Sequence, residues 1–137
     1  RRQRQMCIRD STWSYDQGET WTPLEFTELP NNNSGIDGVT LKDGRFLLVY
    51  NHYRYIRGKK KKRTPINVAI SNDGIHWQAG VVLEDSPINQ YSYPSVIQGK
   101  DGKVHIVYTW RRQRIKYACL DPDKIKTSSF EEASWRE

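Results

Sequence analysis

Two short patterns return in this chain at nearly the same interval, and that repetition limits the fold more than any other feature. Residues 14–21 read Ser-Tyr-Asp-Gln-Gly-Glu-Thr-Trp, and residues 71–77 read Ser-Asn-Asp-Gly-Ile-His-Trp. Both fit Ser-x-Asp-(x)-Gly-x-x-Trp. Residues 42–50, Lys-Asp-Gly-Arg-Phe-Leu-Leu-Val-Tyr, return as residues 100–108, Lys-Asp-Gly-Lys-Val-His-Ile-Val-Tyr. The step from Ser14 to Ser71 is 57 residues and that from Asp43 to Asp101 is 58. Independent markers recurring in phase define an internal repeat, and repeats of this length build solenoids, propellers or arrays.

The repeating unit is made of short strands. Asp43-Gly44 and Asp101-Gly102 supply the positive-φ residues of tight hairpins. The pattern predicts strands over 36–41, 45–52, 66–71 and 80–84, then over 93–98, 104–110 and 114–120, with a long basic loop over 53–64. No stretch keeps a helical period, although 128–136 has room for one terminal turn. The predicted class is all-β, a partial β-propeller of about two four-stranded antiparallel blades. Closed propellers have about four to eight blades, so the expectation is a C-terminal part whose upstream blades are missing. A meander sends alternate turns to opposite rims. The Asp-containing patterns fall on one rim. Loops 30–37, 51–65, 85–94 and 110–114 gather on the other with most of the Arg, Tyr, His and Asn, so any site is expected there.

Composition narrows the partners. Only 36% of residues are hydrophobic and the mean hydropathy is −0.85, but five Trp and eight Tyr supply large buried areas. No apolar run approaches the roughly 20 residues of a spanning helix, so no membrane partner is expected. The net charge of +6 comes from two local runs, Arg1 to Arg9 and Lys59 to Arg63, and the remainder is net acidic. A single basic loop without a basic face gives no expectation of nucleic acid. Cys7 and Cys119 make no disulfide framework, and His52, His76 and His105 have no ligand spacing, so neither metal nor cofactor is expected. Compartment is not legible. Residues 1–11 lack strand alternation and resemble translated sequencing-adapter read-through, so the division is a non-native 1–11 segment and a 12–137 propeller part.

The Ser-x-Asp pattern has a local logic. Its Asp accepts backbone N–H groups of its own turn, its Gly takes a conformation closed to other residues, and its Trp packs over the sheet edge. Ser14, Asp16, Gly18 and Trp21, and Ser71, Asp73, Gly74 and Trp77, are therefore expected to be structural. These boxes resemble the Asp-box (BNR) repeats of sialidases. The stretches 33–37, 43–52 and 91–115 resemble the C-terminal third of sialidase-like BNR proteins, and the likeness covers about residues 12–122.

That resemblance implies a six-bladed propeller. Its catalytic members release terminal sialic acid with a Tyr nucleophile assisted by a Glu, an Asp acid/base and three Arg that clamp the substrate carboxylate. A neutral phenol avoids the repulsion that an anionic nucleophile would meet beside that carboxylate. Carried over, the pattern makes Tyr91 the nucleophile, with Tyr93 its rival. Arg63 becomes the last clamp Arg and Arg9 the middle one, while Asp37 is placed to touch a sugar hydroxyl or to cap a loop. The Asp acid/base, Glu partner and first clamp Arg are not matched here. The expected function is part of a sialidase-like exo-glycosidase acting on terminal sialic acid or a related acidic sugar, the chain alone being inactive. The alternative is a non-catalytic carbohydrate-binding propeller. The expected partner is a sialoglycan or related acidic sugar. Arg111, Arg112 and Arg114 read as a solvated face.

Overall fold

A computed structural model of the chain describes residues 8–55, 58–59, 62–88 and 90–135. Residues 1–7 of the adapter-like segment, Lys60 and Lys61 of the basic run, and Arg136 of the terminal turn lie outside the described residues. Nine strands run in chain order: β1 (Ile8–Ser11), β2 (Glu25–Pro30), β3 (Asp37–Thr40), β4 (Phe46–Tyr50), β5 (Ile66–Ser71), β6 (Trp77–Glu84), β7 (Tyr91–Gln98), β8 (Val104–Trp110) and β9 (Arg114–Leu120). They form three antiparallel sheets, β1-β2, β3-β4-β5-β6 and β7-β8-β9. Pro122–Lys124 makes one turn of 3₁₀ helix. The chain is all-β, as its turn chemistry predicts.

Two sequence expectations are corrected. Among the described residues the sheets have two, four and three strands, not four each. Ile8–Ser11 is also a strand despite its lack of alternation. Its ladder to β2 consists of backbone bonds that need no side-chain pattern, and Thr27 Oγ1 adds a 2.8 Å bond to the Arg9 carbonyl. β2, too, is not among the predicted strands.

The repeat is visible atom by atom. Leu41 N–H bonds Arg45 O at 2.7 Å, and Gly99 N–H bonds Lys103 O at 2.8 Å, 58 residues on. Asp43 Oδ1 accepts from Arg45 N–H at 3.0 Å, and Asp101 Oδ1 accepts from Lys103 N–H at 3.1 Å. The two turns also dock, since Lys42 N–H donates to Gln98 Oε1 and Lys42 Nζ to the Gly99 and Lys100 carbonyls.

Burial follows strand alternation. Leu47 and Val49 of β4 and Ile66, Val68 and Ile70 of β5 face Tyr91 and Val96 of β7 and Val104, Ile106 and Tyr108 of β8, forming the main core between two sheets. The opposite face of the four-stranded sheet places Tyr50 and Ala69 against Leu29 of β2 and the rings of Phe130 and Trp135. β5 is thus buried along its whole length. The outer face of the three-stranded sheet leaves Ile97, Val107, Ile115 and Tyr117 exposed.

Candidate functional site

Both boxes sit between strands at one end of the sheets. In the first, Asp16 Oδ1 accepts from Ser14 Oγ at 2.8 Å and from Thr20 N–H at 2.9 Å, and Thr20 Oγ1 donates to the other oxygen. In the second, Asp73 Oδ1 accepts from Ile75 and His76 N–H, both at 2.8 Å, and from Ser71 Oγ at 3.0 Å, while His76 Nδ1 lies 2.6 Å from Oδ2. Hydrogen bonds to an anion favour its charged form. Those from Thr20, then Ser14, hold Asp16 at a pKa of about 2, and those from His76, then Ile75, hold Asp73 lower still. Gly18 and Gly74 have φ of +96° and +75°. The indole of Trp21 donates to Gly18 O at 3.0 Å over its own exposed turn. Trp77 instead packs against the small buried cluster that contains Leu29, Tyr50 and Ala69.

The other end carries a connected rim. Asn51, at the end of β4, donates through Nδ2 to the Pro65 carbonyl at 2.7 Å and the Tyr91 carbonyl at 3.1 Å. Ser34 Oγ sits between Asn51 Oδ1 and Asn32 Oδ1, and Asn32 Nδ2 reaches the Lys62 carbonyl at 2.8 Å. Thr64 Oγ1 donates to the Ser86 carbonyl at 2.9 Å. Three loops distant in sequence therefore share one hydrogen-bonded surface. Sequence reasoning places those loops together but misses Asn32, Ser34, Asn51 and Thr64 as the ties. Their spacing carries no periodic signal.

Arg63 and Tyr91 meet on this rim. Tyr91 N–H donates to the Arg63 carbonyl at 2.7 Å. The Tyr91 side chain, however, is fully buried in the main core, its ring 6.5 Å from that of Trp110. Its neighbour Tyr93 is 63% exposed, and the Arg63 guanidinium lies 5.2 Å from the Tyr93 ring centroid.

Tyr93 is held out by a bulge. The register gives Ser92↔Thr109 and then Ser95↔Val107, so β7 spends one residue more than β8. Tyr93 has φ +52°. An aromatic residue there is a steric outlier, and the following Pro94 disfavours it further. Asp37 braces the distortion, its Oδ2 accepting Val96 N–H at 2.8 Å and its Oδ1 accepting Gly38 N–H at 3.0 Å. The Asp37 carboxylate thus serves the backbone that aims Tyr93.

Arg9 packs on Tyr50, the residue before Asn51 of the rim. It is 8% exposed, its guanidinium carbon 5.2 Å from the Tyr50 ring centroid, with Nε and Nη2 lacking partners. Burial lowers its pKa to about 10, against an opposing pull from Tyr50. Tyr50 Oη lies 2.5 Å from His52 Nδ1, and Phe130 and Trp135 flank the His52 ring. Among the described residues no group of three or more His, Cys, Asp or Glu is placed to hold a metal.

Residues 1–106 match the family described as the BNR repeat-like domain. No curated protein and no solved structure matches the chain.

Proposed function

The chain belongs to the family of BNR repeat-like domains, and on that premise we propose that it binds a terminal acidic sugar, of the sialic acid class, on the Arg63–Tyr93 rim of a sialidase-type β-propeller. The observation that carries the reading is the convergence of residues 63 and 91–93 from two sheets. Arg63 O accepts Tyr91 N–H, while the Arg63 guanidinium rests on an exposed, strained Tyr93. A planar guanidinium fork recognises a carboxylate bidentately, and stacking on an aromatic ring holds that fork in place. The propeller arrangement is supported by the antiparallel meander β3-β4-β5-β6, by its packing face to face on the next sheet, and by that sheet's exposed apolar outer face.

The hydrolytic form of the reading makes Tyr91 the nucleophile and Arg63 a carboxylate clamp. Its support is the Tyr91-Ser92 pattern and the 2.7 Å bond to Arg63. The complete burial of the Tyr91 ring favours binding over catalysis.

NMR titration of the chain tests the carboxylate assignment that both readings share. Sialic acid is expected to shift the amide signals of Arg63 and Tyr91 to Tyr93, and its methyl ester to leave them in place. Equal responses to acid and ester, or none to either, overturn the carboxylate assignment. Release of a fluorogenic sialoside's leaving group, lost in Tyr91→Phe, would establish hydrolysis instead.

A further inference from the structure

The turn joining β8 to β9 is built against its own sequence. Gln113 N–H bonds Trp110 O at 3.0 Å, and φ is +52° at Arg111 and +57° at Arg112. Positive φ at both central residues marks a type I′ turn, whose fitting pair is Asn-Gly. Here two of the longest cations occupy it. The ladder closes through Trp110↔Arg114, and Arg111 N–H is tied to Gln90 O at 2.7 Å, so the surroundings enforce the conformation. Outliers of this kind cluster where a side chain must be aimed.

The charges are also gathered. The guanidinium carbons of Arg111 and Arg114 lie 4.4 and 4.3 Å from the centroid of one ring, Trp110. No acidic side chain among the described residues pairs with Arg111, Arg112 or Arg114. Arg111 Nε is buried without an acceptor. The nearby Glu84 carboxylate is occupied by Tyr108 Oη and Lys116 Nζ. Like charges held together without a counter-charge are stabilised by whatever anion sits between them. The turn is continuous with the rim above. Arg111 Nη2 donates to Ser86 Oγ at 3.3 Å, and the Ser86 carbonyl accepts Thr64 Oγ1, one residue from Arg63.

We propose that the Trp110–Arg114 turn is a second anion-reading subsite of this rim, taking the carboxylate or sulfate of a saccharide that extends past the group held at Arg63. The extension along a sugar chain rests on the reading of the Arg63 rim given above. A glycan fits better than a nucleic acid, because a phosphate backbone needs an extended basic face, and this cluster is three arginines of one short turn.

The test is calorimetric titration of the chain at about 0.15 M salt, where exposed charges are screened beyond roughly 8 Å. The probes are sialyllactose, a sialic acid dimer with two carboxylates, and a sialoside sulfated on its second sugar. At least one doubly charged probe is expected to bind about tenfold tighter than sialyllactose, and the one that gains identifies carboxylate or sulfate. Arg111→Asn with Arg112→Gly is expected to erase that gain and leave sialyllactose affinity unchanged. It should melt no lower than wild type, since the turn then holds its fitting pair. No gain in wild type, or a gain kept by the double variant, overturns the proposal. Tighter binding of a DNA duplex, lost in the same variant, also overturns it. If sialyllactose fails to bind while a doubly charged probe binds wild type and not the variant, the Arg63 reading falls and the second subsite stands.

Discussion

Gly74→Ala separates two costs that the fold has combined at one position. Gly74 has φ +75°, and a Cβ there would stand 2.5 Å from Trp13 Cη2 and 3.0 Å from Trp13 Cζ2. Trp13 cannot easily withdraw. Its backbone is bonded both ways to Thr22, at 2.8 and 2.9 Å, and its ring lies edge-on to Phe46 with centroids 6.5 Å apart. Gly44 and Gly102 have φ of +89° and +80° but nothing within 4 Å of a built Cβ. They measure the backbone cost alone, about 1–2 kcal/mol for a left-handed L-residue. Overpacking adds about 1–3 kcal/mol, so Gly74→Ala is expected to cost about 2–5 kcal/mol. In melting temperature that is roughly 3 °C per kcal/mol for a chain of this size. Urea denaturation of the three variants, repeated in a Trp13→Ala background, is the assay. Removing the indole should bring Gly74→Ala down to the cost of its two controls. If Gly74→Ala costs no more than Gly44→Ala, or costs the same in both backgrounds, the first box does not brace the second through Trp13, and the reasoning fails.

Tyr93→Gly should keep or raise stability, by about 1 kcal/mol, because the strain at φ +52° disappears. Acidic-sugar binding should be lost with the ring under Arg63, and a fall in both would assign Tyr93 to structure alone. His52 is held neutral by desolvation and, second, by the Arg9 charge, which lower its pKa from 6.5 to about 4. A base with a depressed folded pKa contributes stability above its unfolded pKa and loses it as pH falls. The urea midpoint should therefore drop between pH 6.5 and 4, less so in His52→Gln, and a flat wild-type profile would contradict this. In the second box His76 is raised by its bond to Asp73, and Asp73 is lowered by His76. The His76 contribution is complete below 6.5 and is lost as pH rises through the raised value. The Asp73 contribution is present above the ordinary carboxylate range and is lost on acidification. The NMR titration of His76 should sit above 6.5 and return toward it in Asp73→Asn.

What could be read from the sequence was local, and what could not was relational. The Asp-Gly turns and the two boxes close within a few residues, so their hydrogen bonds are encoded where they occur, and the interval of 58 survives in the bonds of Leu41 and Gly99. Ile66–Ser71, Val104–Trp110 and Arg114–Leu120 could be bounded because apolar runs and turn residues frame them. β1 was illegible because an edge ladder is made of backbone. The site behaves the same way. The adjacency of residues 63 and 91 follows from strand order, but which tyrosine faces outward depends on a one-residue bulge, and inserting one residue reverses every side chain beyond it. Tyr91 turns inward and Tyr93 outward for that reason. The Trp-Arg-Arg-Gln-Arg turn did carry a signal, the absence of Gly or Asn where a tight hairpin needs one. Taken as a solvated face, it hid the conflict between turn chemistry and residue choice. That conflict recurs on the same rim at Tyr93 ahead of Pro94, while Gln17 of the first box and Ser134 also hold positive φ. A chain shaped for stability alone would have put glycine or asparagine at these tips. The ligand contacts proposed above would account for side chains that local preference disfavours, and the titrations test that account.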